Sequence, residues 1–205
     1  MQSIALNKPK NPFKYKRNNY YRALILILNL IKILSIWLIP VIYSPHIFGQ
    51  TEEPTEYRLK TAFLYNFANF TEWPNIDKNE IFNMCFFDDN PFNPYIDYIT
   101  QKKVKNLHVA ILSKSDSDGL SECHLLYISR SAANDKLERI LDSISTKPVL
   151  TVTDSAGSCQ KCVMINMGVD AGTGKIIFEA NLASARSAEL VLSSQLLRFA
   201  KEVYQ

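Results

Sequence analysis

The residues most able to do chemistry in this sequence are its four cysteines, two of which form a Cys-x-x-Cys motif at Cys159 and Cys162. Thiol oxidoreductases use this spacing with the first cysteine at the start of a helix, whose dipole lowers the pKa of the thiol. Here a Ser-Ala-Gly-Ser segment precedes the motif, and an apolar run typical of a strand follows it. The activating helix is missing, so the motif favours a structural pair, with thiol oxidoreduction as the alternative.

The other two cysteines, Cys85 and Cys123, fall in or at the start of predicted strands. If these strands are neighbours, a disulfide between them closes a loop of about 38 residues and stabilises the fold by roughly 3 to 4 kcal/mol. An even number of cysteines in an exported chain indicates disulfides. Zinc is disfavoured, because the four thiols include only one closely spaced pair.

Two charged positions are candidates for binding. Asp154 comes directly after a predicted parallel strand, at the carboxyl end, where open α/β sheets bind ligands. The alternative is a turn-starting aspartate bonded to its own loop. Arg186 lies on the predicted last helix with Glu189 three residues further on, close enough for a surface ion pair; the alternative is a role in an anion pocket or a partner surface.

Catalytic and phosphate-binding patterns are weak. His108 and His124 fall in or beside predicted strands, and no serine or carboxylate pattern forms a triad around either, so structural roles are favoured. The Ala-Gly-Thr-Gly segment at 171–174 belongs to a predicted hairpin and does not precede a helix, unlike a phosphate-binding loop. We therefore predict a protein without catalytic residues, metal or cofactor.

The element that must position these residues is a predicted helix over residues 57–74. Apolar residues recur there at steps of three or four, the repeat of one helical stripe; they are Leu59, Phe63, Phe67, Phe70 and Trp73. Thr55 and Glu56 suit its start and Pro74 its end. Because small and apolar residues widen the stripe, we expect the helix to be covered on most sides. Its polar residues, including Lys60, have no explanation at this level.

Strands and helices alternate through the rest of the chain. The predicted strands are 81–87, 107–112, 123–129, 149–153, 163–167 and 175–179, and the predicted helices are 91–99, 131–143 and 181–204. The segment 101–106 is basic and predicted to be solvated. The order predicts an α/β layered domain with a mixed, largely parallel sheet flanked by helices, whose last two strands form an antiparallel hairpin.

The first fifty residues have a different composition. Residues 1–22 are basic and 23–43 are almost entirely apolar, the pattern of a secretory signal, with cleavage expected near Gly49. The alternative is an uncleaved membrane anchor, because the run approaches the ~20 residues that span a bilayer. We predict a signal peptide or anchor over 1–49 and one α/β domain over 50–205, exported from the cytoplasm.

The body of the protein is mildly acidic. All seven basic residues of the first 49 lie where there is no Asp or Glu, which leaves 16 basic against 20 acidic residues in the rest. This balance argues against a nucleic-acid-binding surface.

Four segments resemble the YfiR-like family of small periplasmic proteins. They are KTAFLYNFANFTEWP, CHLLYISRS, KPVLTVTD and FEANLASARSAELVLSSQLLRFA, and the resemblance extends over residues 57–203. It implies two disulfides, Cys85 with Cys123 and Cys159 with Cys162, and gives Arg186 a place in a small-anion pocket or a partner surface.

The resemblance also implies a function in the periplasm. Family members repress a membrane diguanylate cyclase by binding its periplasmic domain, and an outer-membrane lipoprotein relieves the block, so that cyclic di-GMP output and biofilm behaviour follow. The rival interpretation is a periplasmic small-molecule-binding module with a pocket near Asp154 and Arg186. The sequence does not decide whether two copies form a homodimer.

Overall fold

The chain divides into two units, Met1–Gly49 and Gln50–Gln205. The computed structural model describes residues 20–29, 52–76 and 81–205. In the first unit residues 20–29 form a helix with exposed side chains, while most of the predicted signal and its cleavage site lie outside the described residues. Among the residues described, we find no helix with the length and apolar character needed to cross a membrane.

A mixed, largely parallel sheet forms the second unit, as predicted, but among the described residues it has eight strands where six were expected. In order across the sheet these are β10 (Glu202–Tyr204), β8 (Ile176–Asn181), β7 (Ile165–Val169), β6 (Leu150–Thr153), β5 (Leu125–Ile128), β2 (Phe82–Phe87), β4 (Leu107–Lys114) and β3 (Lys103–Val104). The central strands β7, β6, β5, β2 and β4 are parallel to one another. Strand β8 is antiparallel to β7, and β3 is antiparallel to β4. β10 lies parallel to β8 at one edge.

Side chains alternate between the two faces of a strand, and the buried parallel strands carry apolar side chains on both. Helices therefore cover both faces of this sheet. Helix α1 (Glu52–Asn69) packs on one face, where Met84 and Tyr127 belong to its cluster. Helices α3 (Arg130–Asp135) and α4 (Leu137–Ser143) pack on the other face, with Cys85 and Leu126. The core therefore has two apolar layers, and residues adjacent along one strand belong to different layers.

Helix α1 differs from the prediction in its end and in the residues at the margin of its buried face. It stops at Asn69, not at Pro74, and is followed by a two-residue strand, β1 (Thr71–Glu72). Leu59 was expected in the covered stripe but is 44% exposed, whereas the adjacent Lys60 is 1% exposed. Phe67 is fully buried and Phe63 and Phe70 pack against the core, so the buried face keeps most of the predicted stripe and extends to Lys60.

The predicted long closing helix over 181–204 is wrong. The segment instead forms helix α5 (Leu182–Ser187), strand β9 (Val191–Leu192), helix α6 (Ser194–Leu197) and β10. Helix α5 ends because Glu189 adopts a left-handed backbone with φ of 60° while the amide of Leu190 bonds the carbonyl oxygen of Ala185 at 2.9 Å. Ser193 then caps α6 by accepting a bond from the amide of Leu196.

Three other segments differ from the prediction. The helix expected over 131–143 divides at Lys136 into α3 and α4. The helix expected over 91–99 is reduced to a turn of helix, α2 (Asp97–Thr100). The basic segment contributes β3, which turns back onto β4 through Lys105 and Asn106. Both turn residues have positive φ, as a tight hairpin turn requires.

Among the four cysteines, all within the described residues, one disulfide is formed, between Cys85 on β2 and Cys123 just before β5, with Cα atoms 5.9 Å apart. These cysteines can meet because β2 and β5 are neighbours in the sheet. The second bond, expected between Cys159 and Cys162, is not formed. Cys159 is buried and its Sγ lies 3.5 Å from the carbonyl oxygen of Glu179, while Cys162 is exposed. The two thiols therefore occupy different environments despite their short separation.

Candidate functional site

The most unusual polar feature of the protein is a group of charged and hydroxyl side chains beneath the carboxyl edge of the parallel strands. We call it the Asp154 cluster, and its members are Glu56, Lys60, Tyr127, Arg130 and Asp154. Four different elements contribute them: α1, β5, α3 and the loop after β6. The side chains of Lys60 and Asp154 are each 1% exposed.

Asp154 is the centre of this cluster. Its Oδ2 accepts a hydrogen bond of 2.7 Å from Lys60 Nζ, and its Oδ1 accepts one of 2.9 Å from the Tyr127 hydroxyl. Arg130 approaches Oδ2 at 3.4 Å from the outside, with 65% of its side chain exposed. Lys60 also pairs with Glu56 at 2.6 Å. Two positive and two negative groups thus form a balanced network, as buried charges require.

The environment shifts the titration of these groups in opposite directions. Burial disfavours the Asp154 carboxylate, but the hydrogen bond and charge of Lys60, with the Tyr127 bond, outweigh burial and hold the pKa of Asp154 below its usual value. Burial likewise disfavours the Lys60 cation, but Asp154 and Glu56 raise its pKa above the usual value. Desolvation, and then the charge of Asp154, raise the pKa of Tyr127. The ion pair is therefore charged at neutral pH.

This arrangement is suited to holding the fold and not to binding at Asp154. Both carboxylate oxygens already have partners, and the side chain is closed to solvent. Neither sequence interpretation of Asp154 anticipated this, since its partners are side chains of distant elements and not a ligand or its own loop. Solvent reaches the cluster at the guanidinium of Arg130, 65% exposed, and at the carboxylate of Glu56, 31% exposed.

Sequence reasoning missed Lys60, Tyr127 and Arg130. One signal was present: Lys60 is a cation within an aromatic helix, and a lysine is rarely buried there without a paired acid. Its acid, Asp154, is 94 residues away in the chain, so spacing alone gives no means of matching the two.

A pH titration of stability tests this assignment. Because the folded pKa of Asp154 is lowered, its contribution is present above the ordinary value of 3.8 and is lost as the pH falls through the folded pKa. We expect Asp154→Asn to be less stable than the wild type at pH 7, with the difference shrinking as the pH falls below about 4. Urea midpoints between pH 7 and 2.5 measure this. Asp142→Asn, an exposed control, should follow the wild-type curve, and a constant gap for Asp154→Asn contradicts the assignment.

The predicted pocket between Asp154 and Arg186 is not formed. Helix α5, which carries Arg186, follows β8. The backbone amide of Asn181, the last residue of β8, donates to the carbonyl of Met164, just before β7. Asp154 follows the opposite, carboxyl end of the parallel strands. Arg186 therefore follows a strand that ends at the amino ends of the parallel strands, whereas Asp154 lies at their carboxyl ends.

Arg186 and Glu189 are both exposed, and among the described residues no ion pair joins them. Their helix is nevertheless firmly held. Asn181 caps α5 because its Oδ1 accepts a hydrogen bond of 2.8 Å from the backbone amide of Ser184, and its Nδ2 donates one to the carbonyl of Cys159. With Ala185 buried, this helix presents Arg186 from a fixed backbone.

The geometry of the Cys-x-x-Cys motif opposes thiol chemistry. Burial, and then the charge of Glu179, raise the pKa of the Cys159 thiol to about 12, the reverse of the depressed pKa that activates a nucleophilic cysteine. Cys159–Lys161 form a single 3-10 turn, and Cys162 lies at its end. The motif thus lacks the helix N-terminus of an oxidoreductase site, as the sequence indicated.

Two shallow grooves border α4 and Cys162, with volumes of about 480 and 380 Å³. Neither Asp154 nor Arg186 lines either groove. Within residues 20–29, 52–76 and 81–205, no group of three or more His, Cys, Asp or Glu side chains is placed to hold a metal ion.

Comparison with known protein families identifies the family of this chain. No curated protein matches the chain, but the sequence model of a family described as YfiR/HmsC-like matches residues 57–201. The matched region contains most of α1, the disulfide and every member of the Asp154 cluster except Glu56. The match supports a periplasmic regulator of diguanylate cyclase signalling in general. The chain belongs to the YfiR/HmsC-like family.

Proposed function

We propose that this protein is a periplasmic repressor that binds the periplasmic domain of a membrane diguanylate cyclase and lowers cyclic di-GMP output, with an outer-membrane lipoprotein relieving the block. The family match over residues 57–201 is the observation that carries the proposal. The protein acts by binding and not by catalysis. The free energy by which it shifts the equilibrium between active and inactive cyclase equals the difference between its binding free energies for the two states.

The fold supports such a role because it offers a rigid body with exposed side chains. The Asp154 cluster fixes α1 to the sheet, and the disulfide links two neighbouring strands. A rigid surface loses little conformational entropy on binding, so more of the contact energy is available to distinguish the cyclase states.

We assign the cyclase-binding surface to the exposed side of α5, with Arg186 and Glu189 as its charged residues. Arg186 is exposed and carries no ion pair among the described residues, so its guanidinium is available to a partner carboxylate. Val191, two residues after Glu189, is 61% exposed and adds an apolar contact beside the charges. This combination of arginine and apolar surface is typical of protein interfaces.

Charge reversal at Arg186 tests the proposal. We expect Arg186→Glu to raise cyclic di-GMP in cells that contain the cognate cyclase, while the unfolding free energy changes by less than about 0.5 kcal/mol. Arg139→Glu is the matched control, because it makes the same charge change at another exposed helical position, on α4. Cyclic di-GMP is measured by mass spectrometry in both strains. Full repression by Arg186→Glu rules out this surface.

The partner itself is identified separately, by crosslinking in intact cells and mass spectrometry of the captured membrane proteins. A diguanylate cyclase with a periplasmic domain is expected, and its recovery should fall with Arg186→Glu and not with Arg139→Glu. Capture of other membrane proteins without any cyclase overturns the proposed function.

A further inference from the structure

One edge of the large sheet has a charge opposite to that of the body. Between Asp97 and Asp116 the chain has four lysines but no acidic residue and no arginine, whereas the body as a whole has more acidic than basic residues. Three of these lysines lie in or beside β3, the two-residue strand at the end of the sheet. We call this surface the β3 edge, and it comprises Tyr65, Tyr98, Lys102, Lys103 and Lys105.

Two tyrosines accompany the lysines of the β3 edge. Lys102 Nζ lies 4.4 Å from the centre of the Tyr98 ring and 5.7 Å from that of the Tyr65 ring, both within the range of cation–π interactions. The Tyr65 hydroxyl, from α1, donates a hydrogen bond of 3.2 Å to the carbonyl of Lys103. Tyr98 is 59% exposed, and Lys103 is exposed as well. Helix α1 thus fixes the backbone of this edge, while an aromatic ring and ammonium groups face solvent together.

Two of the three lysines at the β3 edge have no counter-charge in the protein. Lys105 pairs with Glu72 at 2.5 Å, but among the residues that the structure describes none forms an ion pair with Lys102 or Lys103. The residue directly opposite Lys103 on β4 is the exposed His108 and not an acid. The ammonium groups of Lys102 and Lys103 therefore remain available to an anionic partner.

Protection of the sheet edge explains only part of this surface. Lysines on a short edge strand prevent pairing with another chain, which accounts for Lys103 on β3. This role does not account for the exposed Tyr98 ring beside Lys102, because an apolar ring at the surface forgoes the stabilisation of burial. An exposed aromatic ring among ammonium groups points to a second use of the same surface.

The residue types of the β3 edge favour a lipid surface over a protein partner. Protein interfaces are enriched in arginine and depleted in lysine, and the β3 edge has three lysines and no arginine. Lysine is a point charge on a flexible chain, suited to the diffuse negative charge of lipid phosphates. Tyrosine is enriched where membranes meet water, because its ring is apolar and its hydroxyl is polar. The combination of lysine and tyrosine therefore fits the headgroup region of a bilayer.

We propose that the β3 edge binds the surface of a bilayer that contains anionic phospholipids, with Lys102 and Lys103 at the headgroup phosphates and Tyr98 in the interfacial region. The acidic balance of the whole body does not prevent this, because charges more than about 8 Å from the bilayer are largely screened at physiological salt. Helix α5 follows β8, near the opposite edge of the sheet, so Arg186 stays free when the β3 edge faces lipid. The proposal does not depend on a cyclase as partner.

Sedimentation with vesicles tests the proposal on protein purified from the periplasm. We expect at least ~10-fold stronger binding to vesicles of phosphatidylglycerol and phosphatidylcholine than to vesicles of phosphatidylcholine alone, with binding falling as the salt concentration rises. Lys102→Glu combined with Lys103→Glu should weaken binding to the anionic vesicles at least ~10-fold. Lys147→Glu combined with Lys175→Glu is the matched control, because it makes the same charge change at two exposed lysines outside the β3 edge.

Tyr98→Ala should also weaken binding, by roughly 3-fold or more, which attraction by charge alone does not predict. Circular dichroism checks that each variant is folded. Wild-type protein that does not bind the anionic vesicles at low salt overturns the proposal, as does an equal loss of binding in the two double variants. If the vesicles do not bind but Lys102→Glu with Lys103→Glu relieves repression in cells, the proposal is also overturned, and the edge is assigned to an acidic protein.

Discussion

Replacing Lys60 with methionine is expected to destabilise the body by about 3 to 5 kcal/mol, although methionine has a similar length and is more apolar. The reason is the carboxylate that remains. Asp154, 1% exposed, then keeps the Tyr127 hydroxyl, a long hydrogen bond of 3.5 Å from the Tyr57 hydroxyl and a distant contact of 3.4 Å with Arg130. A buried charge without its principal partner costs far more than the pair is worth by itself.

The measurement is the unfolding free energy from urea titration at pH 7. Lys147→Met serves as the control, because Lys147 is exposed and its replacement should change stability by less than about 0.5 kcal/mol. Lys60→Met combined with Asp154→Leu should recover much of the loss, since no buried charge is then left unpaired. If Lys60→Met costs less than about 1 kcal/mol, the ion pair does not hold α1 to the sheet.

Lys60 also shows where sequence reasoning reaches its limit. The hydrophobic repeat predicted a helix here and correctly placed Phe67 in the core, but it also placed Leu59 inside and left the adjacent lysine unexplained. Burial of a lysine depends on an acid supplied by another element, and here that acid is 94 residues away. Local hydrophobicity contains no information about such a partner.

The strands were predicted more accurately than the helices. Buried parallel strands are short apolar runs, such as 107–112 and 149–153, and both appear close to their predicted bounds. The closing segment has enough apolar residues for one helix, and the break at Glu189 is set by a left-handed backbone that glutamate rarely adopts. Tertiary pairing of β9 with β1 overrides the local preference there.

The cysteines give a similar contrast. Cys159 and Cys162 are three residues apart but one is buried and the other exposed, whereas Cys85 and Cys123 are 38 residues apart and bonded. Strand adjacency brings the distant pair together, and local backbone direction separates the near pair. Sequence separation is therefore a poor guide to cysteine pairing within this fold.

Removing the bond between Cys85 and Cys123 is the second large perturbation. We expect the double change Cys85→Ala with Cys123→Ala to lower the unfolding free energy by about 4 kcal/mol, mainly because the unfolded chain regains the freedom of a 38-residue loop. Alanine is chosen because both positions are buried, and a serine hydroxyl there would add a separate desolvation cost. Urea unfolding at pH 7 measures the loss.

Two comparisons separate the bond from the side chains. Cys162→Ala removes an exposed, unbonded thiol and should change stability by less than about 0.5 kcal/mol. A reductant such as dithiothreitol should destabilise the wild type by nearly the same amount as the double change, and should leave the double variant unaffected. Free-thiol titration shows whether the bond has been reduced. If the bond is reduced and the unfolding free energy of the wild type does not change, loop closure is not the source of the stabilisation.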